Sequence, residues 1–173
     1  MPQPPYADLI RNVPDFPLPG VQFKDITTLL QDGPAFYALI DDLAQPYLAA
    51  RIDVVVGVES RGFLFAAPVA YKLGAGLVLI RKPGKLPAPT VQVEYSLEYG
   101  TNTLQMHQDA IRPGARVLIV DDVLATGGTV GAAAALVRQL GGEIVALAFP
   151  IELTFLQGRA SVAPYPVFSL VQY

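Results

Sequence analysis

The sequence predicts an α/β fold with a mainly parallel central sheet flanked by helices. Three features of the 173-residue chain predict it. Short, near-continuous apolar runs such as Val54-Val55-Val56 and Val117-Leu118-Ile119-Val120 read as strands buried on both faces. These runs alternate with helix-length segments, the pattern of parallel strands joined by helical crossovers. Carboxylates, hydroxyls and glycines follow the strand ends, where open α/β sheets place their ligands.

In chain order, Tyr6 to Val13 is expected to form a short helix before Pro14. Pro14, Pro17 and Pro19 then impose an extended path, because proline fixes φ and restricts its predecessor. Phe16, Leu18 and Phe23 give this arm apolar anchors, so it is expected to pack on the body. Pro34 to Ala50 is expected to be a helix capped by Asp32. Strands at 53–58 and 76–80 bracket a helix over 62–73. Arg81 to Gly100 holds three prolines, two glycines and three cations without clear periodicity. It is expected to be a long loop, which in a compact domain carries function or is disordered. After the strand at 116–120, an Ala-rich helix runs from 127 to 140 and ends at Gly141-Gly142. Strands are expected at 143–149 and 167–171.

Composition excludes several classes of function. The length fits one domain spanning 1–173. With no cysteine, there can be no disulfide, thiolate nucleophile or Cys-based zinc site. The net charge of −3 argues against a nucleic-acid binder, which needs clustered Lys and Arg. No apolar run reaches the ~20 residues of a membrane span, and the first residues lack a signal-peptide pattern. The expectation is a soluble cytoplasmic protein without a membrane partner.

The chemistry concentrates in Val117-Leu118-Ile119-Val120-Asp121-Asp122-Val123-Leu124-Ala125-Thr126-Gly127-Gly128-Thr129. A strand ends in two carboxylates, then a turn of small residues opens a helix. Backbone N–H groups and the helix dipole make such a turn an anion site. Thr126, Gly127, Gly128 and Thr129 suit a phosphate dianion, while Asp121 and Asp122, repelled by phosphate, suit ribose hydroxyls. An ordinary βα turn with acids near a helix start is the plainer alternative. No GxxxxGK[ST] motif is present.

This segment resembles the signature of type I phosphoribosyltransferases, which bind phosphoribosyl pyrophosphate (PRPP). The resemblance implies that Asp121 and Asp122 hold the ribose hydroxyls, and that Ala125, Thr126, Gly127, Gly128 and Thr129 wrap the 5′-phosphate. Three further segments resemble the adenine-specific members. In Phe16-Pro17-Leu18-Pro19-Gly20-Val21-Gln22-Phe23-Lys24-Asp25-Ile26-Thr27, the resemblance implies an adenine pocket on an arm covering 1–33. Phe23 would stack on the base, and backbone near Val21, Gln22 and Lys24 would read its edge. Lys24 stands where those enzymes usually carry Arg, which weakens a side-chain role but not a backbone one. In Gly57-Val58-Glu59-Ser60-Arg61-Gly62-Phe63, Ser60 and Arg61 would bind pyrophosphate, Arg61 through its planar fork. In Arg81-Lys82-Pro83-Gly84-Lys85, running on to Tyr95-Ser96-Leu97-Glu98-Tyr99-Gly100, the resemblance implies a flexible hood over 81–102. Arg81, Lys82 and Lys85 would face pyrophosphate, with Glu98 as acid/base and Tyr99 positioning the hood. The C-terminal stretches Ile151-Glu152-Leu153-Thr154 and Phe168 to Tyr173 also resemble these enzymes.

Further implications are Mg²⁺ as cofactor, held mainly through substrate with Asp121 and Asp122 as candidate protein ligands, and a homodimer. The substrates would be adenine and PRPP. His107, the single histidine, is read as structural. Three other readings stay open. Val58 to Gly62 sits where a hydrolase nucleophile elbow would, but Val58 replaces its first glycine. A non-catalytic PRPP sensor and an enzyme for another purine are the other two.

Overall fold

The computed structural model describes residues 4–96 and 101–173. Its centre is a parallel sheet in the order β10-β9-β7-β3-β4, with β8 also paired to β9. These strands are β3 (Val54–Val58), β4 (Gly76–Ile80), β7 (Arg116–Val120), β8 (Val123–Leu124), β9 (Glu143–Glu152) and β10 (Val167–Gln172). Val117 to Val120 are all fully buried because helices or strands cover both sheet faces. Strand alternation splits the core accordingly. Val55, Leu118, Val120 and Ala148 pack with Leu39, Leu43, Phe65 and Val69 on one face. Val56, Ile119, Leu147 and Phe149 pack with Ala133, Leu136, Val137 and Met106 on the other. The first face is covered by α2 (Gly33–Ala44) and α3 (Gly62–Leu73), and the second by α4 (Gly128–Gln139).

The parallel core matches the expected α/β class, and the Asp32 side chain caps α2 by accepting the Ala35 N–H at 2.9 Å. Several boundaries differ for identifiable reasons. α2 stops at Ala44, and a 3₁₀ turn follows over Gln45–Tyr47. Pro46 lacks the N–H an α-helix needs and clashes with the preceding turn. β9 continues past Pro150 to Glu152. Its register with β10 passes from Phe149 to Ile151, so the missing proline N–H falls between paired positions.

The N-terminal arm is not a helix running to Val13. A 3₁₀ turn covers Pro5–Leu9, and β1 (Arg11–Pro14) then pairs antiparallel with β2 (Gln22–Asp25). A short α1 (Thr27–Gln31) leads into α2. The segment read as an aperiodic loop over Arg81 to Gly100 also needs correction. It contains β5 (Thr90–Ser96), paired antiparallel with β6 (Thr101–His107). Val91, Val93 and Tyr95 pack on the second core face, while Gln92 and Glu94 point outward. That alternation is present in the sequence, but the prolines and glycines just before it obscure it. The ribbon lies against α4. A last helical turn, α5 (Gly158–Ser161), sits beside the start of α4.

Candidate active site

Three chain segments meet at the carboxyl edge of the sheet and enclose a cleft of about 370 Å³. It is lined by Glu59, Ser60 and Arg61 after β3, Lys82 after β4, and the run from Asp121 through Val130 after β7. The expected clustering at this edge is therefore observed for Ser60, Arg61, Lys82, Asp121, Asp122, Ala125, Thr126, Gly127, Gly128 and Thr129.

Asp121 and Asp122 are both buried, at 8% and 7% exposure. Their proximity to the start of α3 depends on Gly62. A Cβ there would lie 2.6 Å from Asp121 Oδ1 and 3.2 Å from its Cα. Asp121 Oδ1 accepts the Asp122 N–H at 2.9 Å. Asp122 Oδ2 lies 2.7 Å from Arg61 Nε. Burial, then the neighbouring Asp122 charge, pushes the Asp121 carboxyl well above the ordinary carboxylate range. Burial also raises Asp122, against the opposing pull of Arg61. As a coupled pair, they hold a proton more tightly than free carboxylates. A pair sharing a proton can both donate to and accept from vicinal hydroxyls.

The loop that follows turns through Gly127 at φ +89°, a left-handed conformation suited to glycine. A Cβ on Gly127 would also lie 2.8 Å from the Gly158 carbonyl oxygen. Gly128 begins the 12-residue α4, so the amino-terminal N–H groups and positive dipole end of a real helix border the cleft. Tyr95 Oη and Thr129 Oγ1 are 3.3 Å apart, tying β5 to the first turn of α4. Tyr95 belongs to the hood motif, and the motif alone gives it no role. Its placement comes from the unexpected β5 ribbon.

The cations divide. Lys82 lines the cleft, but Arg81 Nε turns to Glu59 Oε2 at 3.3 Å and its Nη1 to the Lys85 carbonyl at 3.3 Å. Glu59 Oε2 also accepts the Lys82 N–H at 2.9 Å. That backbone bond is the main influence holding the Glu59 carboxyl low, with Arg81 assisting and burial opposing. Glu59 thus organises the Arg81–Lys85 turn, a role not visible in the motif. Lys85 does not line the cleft. The Glu59–Ser60 peptide is cis.

Gln22, Phe23 and Lys24 lie on β2, with Val21 just before it, outside the cleft lining. The Phe23 ring reaches its rim: the Arg61 guanidinium carbon is 5.0 Å from the ring centroid. Arg61 therefore bridges the acid pair and the aromatic arm. Phe16 packs edge-on to Phe23 at 5.1 Å, and Lys24 Nζ lies 3.8 Å over the Tyr173 ring. Alternate N–H and C=O groups of a two-stranded ribbon point outward, so β2 presents an open backbone edge. His107 Nε2 accepts the Ala88 N–H at 3.3 Å, a structural contact. Glu98 and Tyr99 lie outside the described residues.

The phosphoribosyl transferase domain model matches residues 27–163, most of the chain. An adenine phosphoribosyltransferase from Chloroflexus aurantiacus is 63% identical over 167 residues, 96% of this chain and 96% of that protein. The chain belongs to the adenine phosphoribosyltransferase family. A crystal structure of the Thermoanaerobacter pseudethanolicus adenine phosphoribosyltransferase superposes with a TM-score of 0.95 at 50% identity, covering 97% of this chain and 98% of that one. The Saccharomyces cerevisiae adenine phosphoribosyltransferase, solved with an imino-altritol bisphosphate and adenine, superposes with a TM-score of 0.89 at 39% identity, covering 95% and 98%. Membership in an adenine phosphoribosyltransferase family accounts for a parallel sheet whose carboxyl edge carries an acid pair followed by an anion loop.

Proposed function

We propose that this site transfers the 5-phosphoribosyl group from PRPP to adenine N9, giving AMP and pyrophosphate in purine salvage. The observation that carries this reading is the buried Asp121–Asp122 pair placed directly before the Gly127 turn and the start of α4, in one cleft with Arg61 and Lys82. Asp121 and Asp122 receive the ribose hydroxyls. Ala125 to Thr129 receive the 5′-phosphate on backbone N–H and hydroxyl groups. Ser60, Arg61 and Lys82 receive pyrophosphate, joined by Lys85 and by Arg81 once it releases Glu59.

In the reaction the bond from C1′ to the pyrophosphate oxygen breaks and a bond from N9 to C1′ forms. The N9 proton passes to Glu98, and pyrophosphate leaves with the bonding electrons. Positive charge develops on the ribose ring, as in other glycosidic chemistry. The buried carboxylate pair lies where it can oppose that charge. Phe23 stacks on adenine, and the open edge of β2 near Val21, Gln22 and Lys24 reads its amino and ring nitrogens. Tyr99 helps to close the site and exclude competing water.

The donor set fits Mg²⁺ held largely by substrate. Among the described residues no group of three or more His, Asp or Glu side chains is arranged to hold a metal. The two adjacent carboxylates suit an ion that binds through one or two carboxylates plus phosphate oxygens. When bound, Mg²⁺ supplies charge neutralisation to the departing pyrophosphate. We also assign the protein to the cytoplasm and to a homodimer. No described helix is long and apolar enough to cross a membrane. The dimer is supported by exposed Leu77 and Leu79 on the edge strand β4 and by exposed Leu64 and Tyr71 on α3, the helix that packs against β4.

The test supplies PRPP, Mg²⁺ and one base at a time, and follows nucleotide and pyrophosphate. AMP should form with adenine, with hypoxanthine and guanine slower by orders of magnitude, because an amino donor is exchanged for a carbonyl acceptor. Glu98→Gln should lower kcat by about 10²–10⁴. PRPP binding without turnover of any base would overturn the reading in favour of a sensor.

A further inference from the structure

Behind the phosphate loop lies a polar network that the reaction above does not use. Glu152, the last residue of β9, is 4% exposed. Its Oε1 accepts Arg159 Nε at 2.7 Å, and its Oε2 accepts Arg159 Nη2 at 2.7 Å and the Ser169 hydroxyl at 2.5 Å. Arg159 also donates to the Val167 carbonyl at 2.9 Å and to Ser169 Oγ at 3.0 Å. The guanidinium is thus held in plane by partners on two strands, a geometry a lysine cannot reproduce.

The network touches the loop by two routes. Along the backbone, Glu152 pairs with Leu124 across β8 and β9, and the Leu153 N–H donates to the Leu124 carbonyl at 2.9 Å. Leu124 immediately precedes Ala125. Through the side chain, Arg159 fixes α5, whose first residue Gly158 abuts the loop. A Cβ at Gly158 would collide with the Ala125 carbonyl oxygen and the Leu124 side chain. A Cβ at Gly127 would in turn lie 2.8 Å from the Gly158 carbonyl oxygen and 3.0 Å from Ser161 Cβ. α5 is therefore the wall against which the left-handed Gly127 turn is set. A backbone anion cradle works only while its N–H vectors stay converged, and its ligand-facing side has no packing of its own before substrate binds.

We propose that Glu152 and Arg159 are positioning residues that hold the Ala125–Thr129 loop in its phosphate-binding shape, without touching substrate. This rests on the reading that this loop takes the 5′-phosphate. Its signature is selective: affinity for PRPP depends on the pair, while adenine affinity and the chemical step do not.

The experiment measures KM for PRPP, KM for adenine, kcat and thermal unfolding for Arg159→Met, Arg159→Lys and Ser169→Ala, with Thr126→Ala/Thr129→Ala as a direct probe of the loop. Arg159→Met should raise the PRPP KM about tenfold, the effect of roughly 1.4 kcal/mol, with adenine KM and kcat within about twofold. Arg159→Lys should recover part of the loss, and Ser169→Ala, which removes the hydroxyl's bonds to Glu152, Arg159 and Gln172, should raise the PRPP KM by about two- to threefold even if Arg159→Met fails to fold. Loss of activity in proportion to loss of folded protein, with both KM values unchanged, would overturn the proposal. If the Thr126/Thr129 variant raises the PRPP KM and the Arg159 and Ser169 variants do not, only the positioning role falls. If none of them moves it, the assignment of the loop to phosphate falls as well.

Discussion

At Asp121 the requirements of binding and of stability oppose each other. The folded protein holds this carboxyl proton more tightly than the unfolded chain does, through burial and then the Asp122 charge. A raised folded-state pKa contributes stability that is complete below the ordinary carboxylate value near ~4 and is lost as pH rises through the higher folded value. Asp121→Asn keeps the shape and removes that titration. It should raise Tm at pH 8 by about 2–4 °C for each kcal/mol recovered, and by much less at pH 5, while impairing PRPP binding. Calorimetry at the two pH values checks the sign; an unchanged or lower Tm at pH 8 would contradict it. Gly62 shows the same economy of space. Its absent Cβ is what allows the start of α3 to approach Asp121.

The β1–β2 ribbon is the element that carries the proposed base-reading edge, and a small polar cluster fastens it. Asp25 accepts the Thr27 N–H at 2.9 Å and Arg11 Nη2 at 2.6 Å. The Thr27 N–H, followed by Arg11, lowers the Asp25 carboxyl to about 2. A depressed pKa stabilises the fold above the ordinary carboxylate value, and that contribution fades as pH falls toward 2. The cluster is solvent-exposed, so its global effect is small. Its local effect should be visible in kinetics. Asp25→Ala should raise the adenine KM about fivefold, the effect of roughly 1 kcal/mol for a charge-assisted bond, and leave the PRPP KM unchanged. Equal changes in both constants would place Asp25 outside base binding.

At the scale of the whole molecule, β4 is one of the two edge strands of the parallel sheet. It has β3 on one side and, among the described residues, no further strand of that sheet on the other. Leu77 and Leu79 are 42% and 37% exposed, and Tyr71 on the adjoining α3 is 90% exposed. A second copy packing here would bury them. Leu79→Glu combined with Tyr71→Glu should shift sedimentation from dimer to monomer at micromolar protein and make Tm independent of protein concentration. A wild-type protein that sediments as a monomer at those concentrations would exclude the dimer.

Much of this architecture was legible in the residues alone. Four apolar runs marked β3, β4, β7 and most of β9; β3 and β7, buried on both faces, admit almost nothing polar. The acid pair and small-residue turn were legible because a strand that ends in two carboxylates and opens a helix through two glycines is a pattern of adjacent residues. What stayed hidden depends on partners distant in sequence. β1 and β2 gain strand geometry only by pairing with each other, and β5 only by pairing with β6 against α4. The Arg61 contacts to Asp122 and Phe23, the turn of Arg81 toward Glu59, and the Glu152–Arg159 brace behind Gly127 likewise join residues that no local pattern connects. Sequence by itself determined which residue types stand at the strand ends, because burial and turn geometry are local demands. Tertiary structure alone decided which of those residues face one another, because a side chain's charge partner is set by chain packing rather than by its neighbours in sequence.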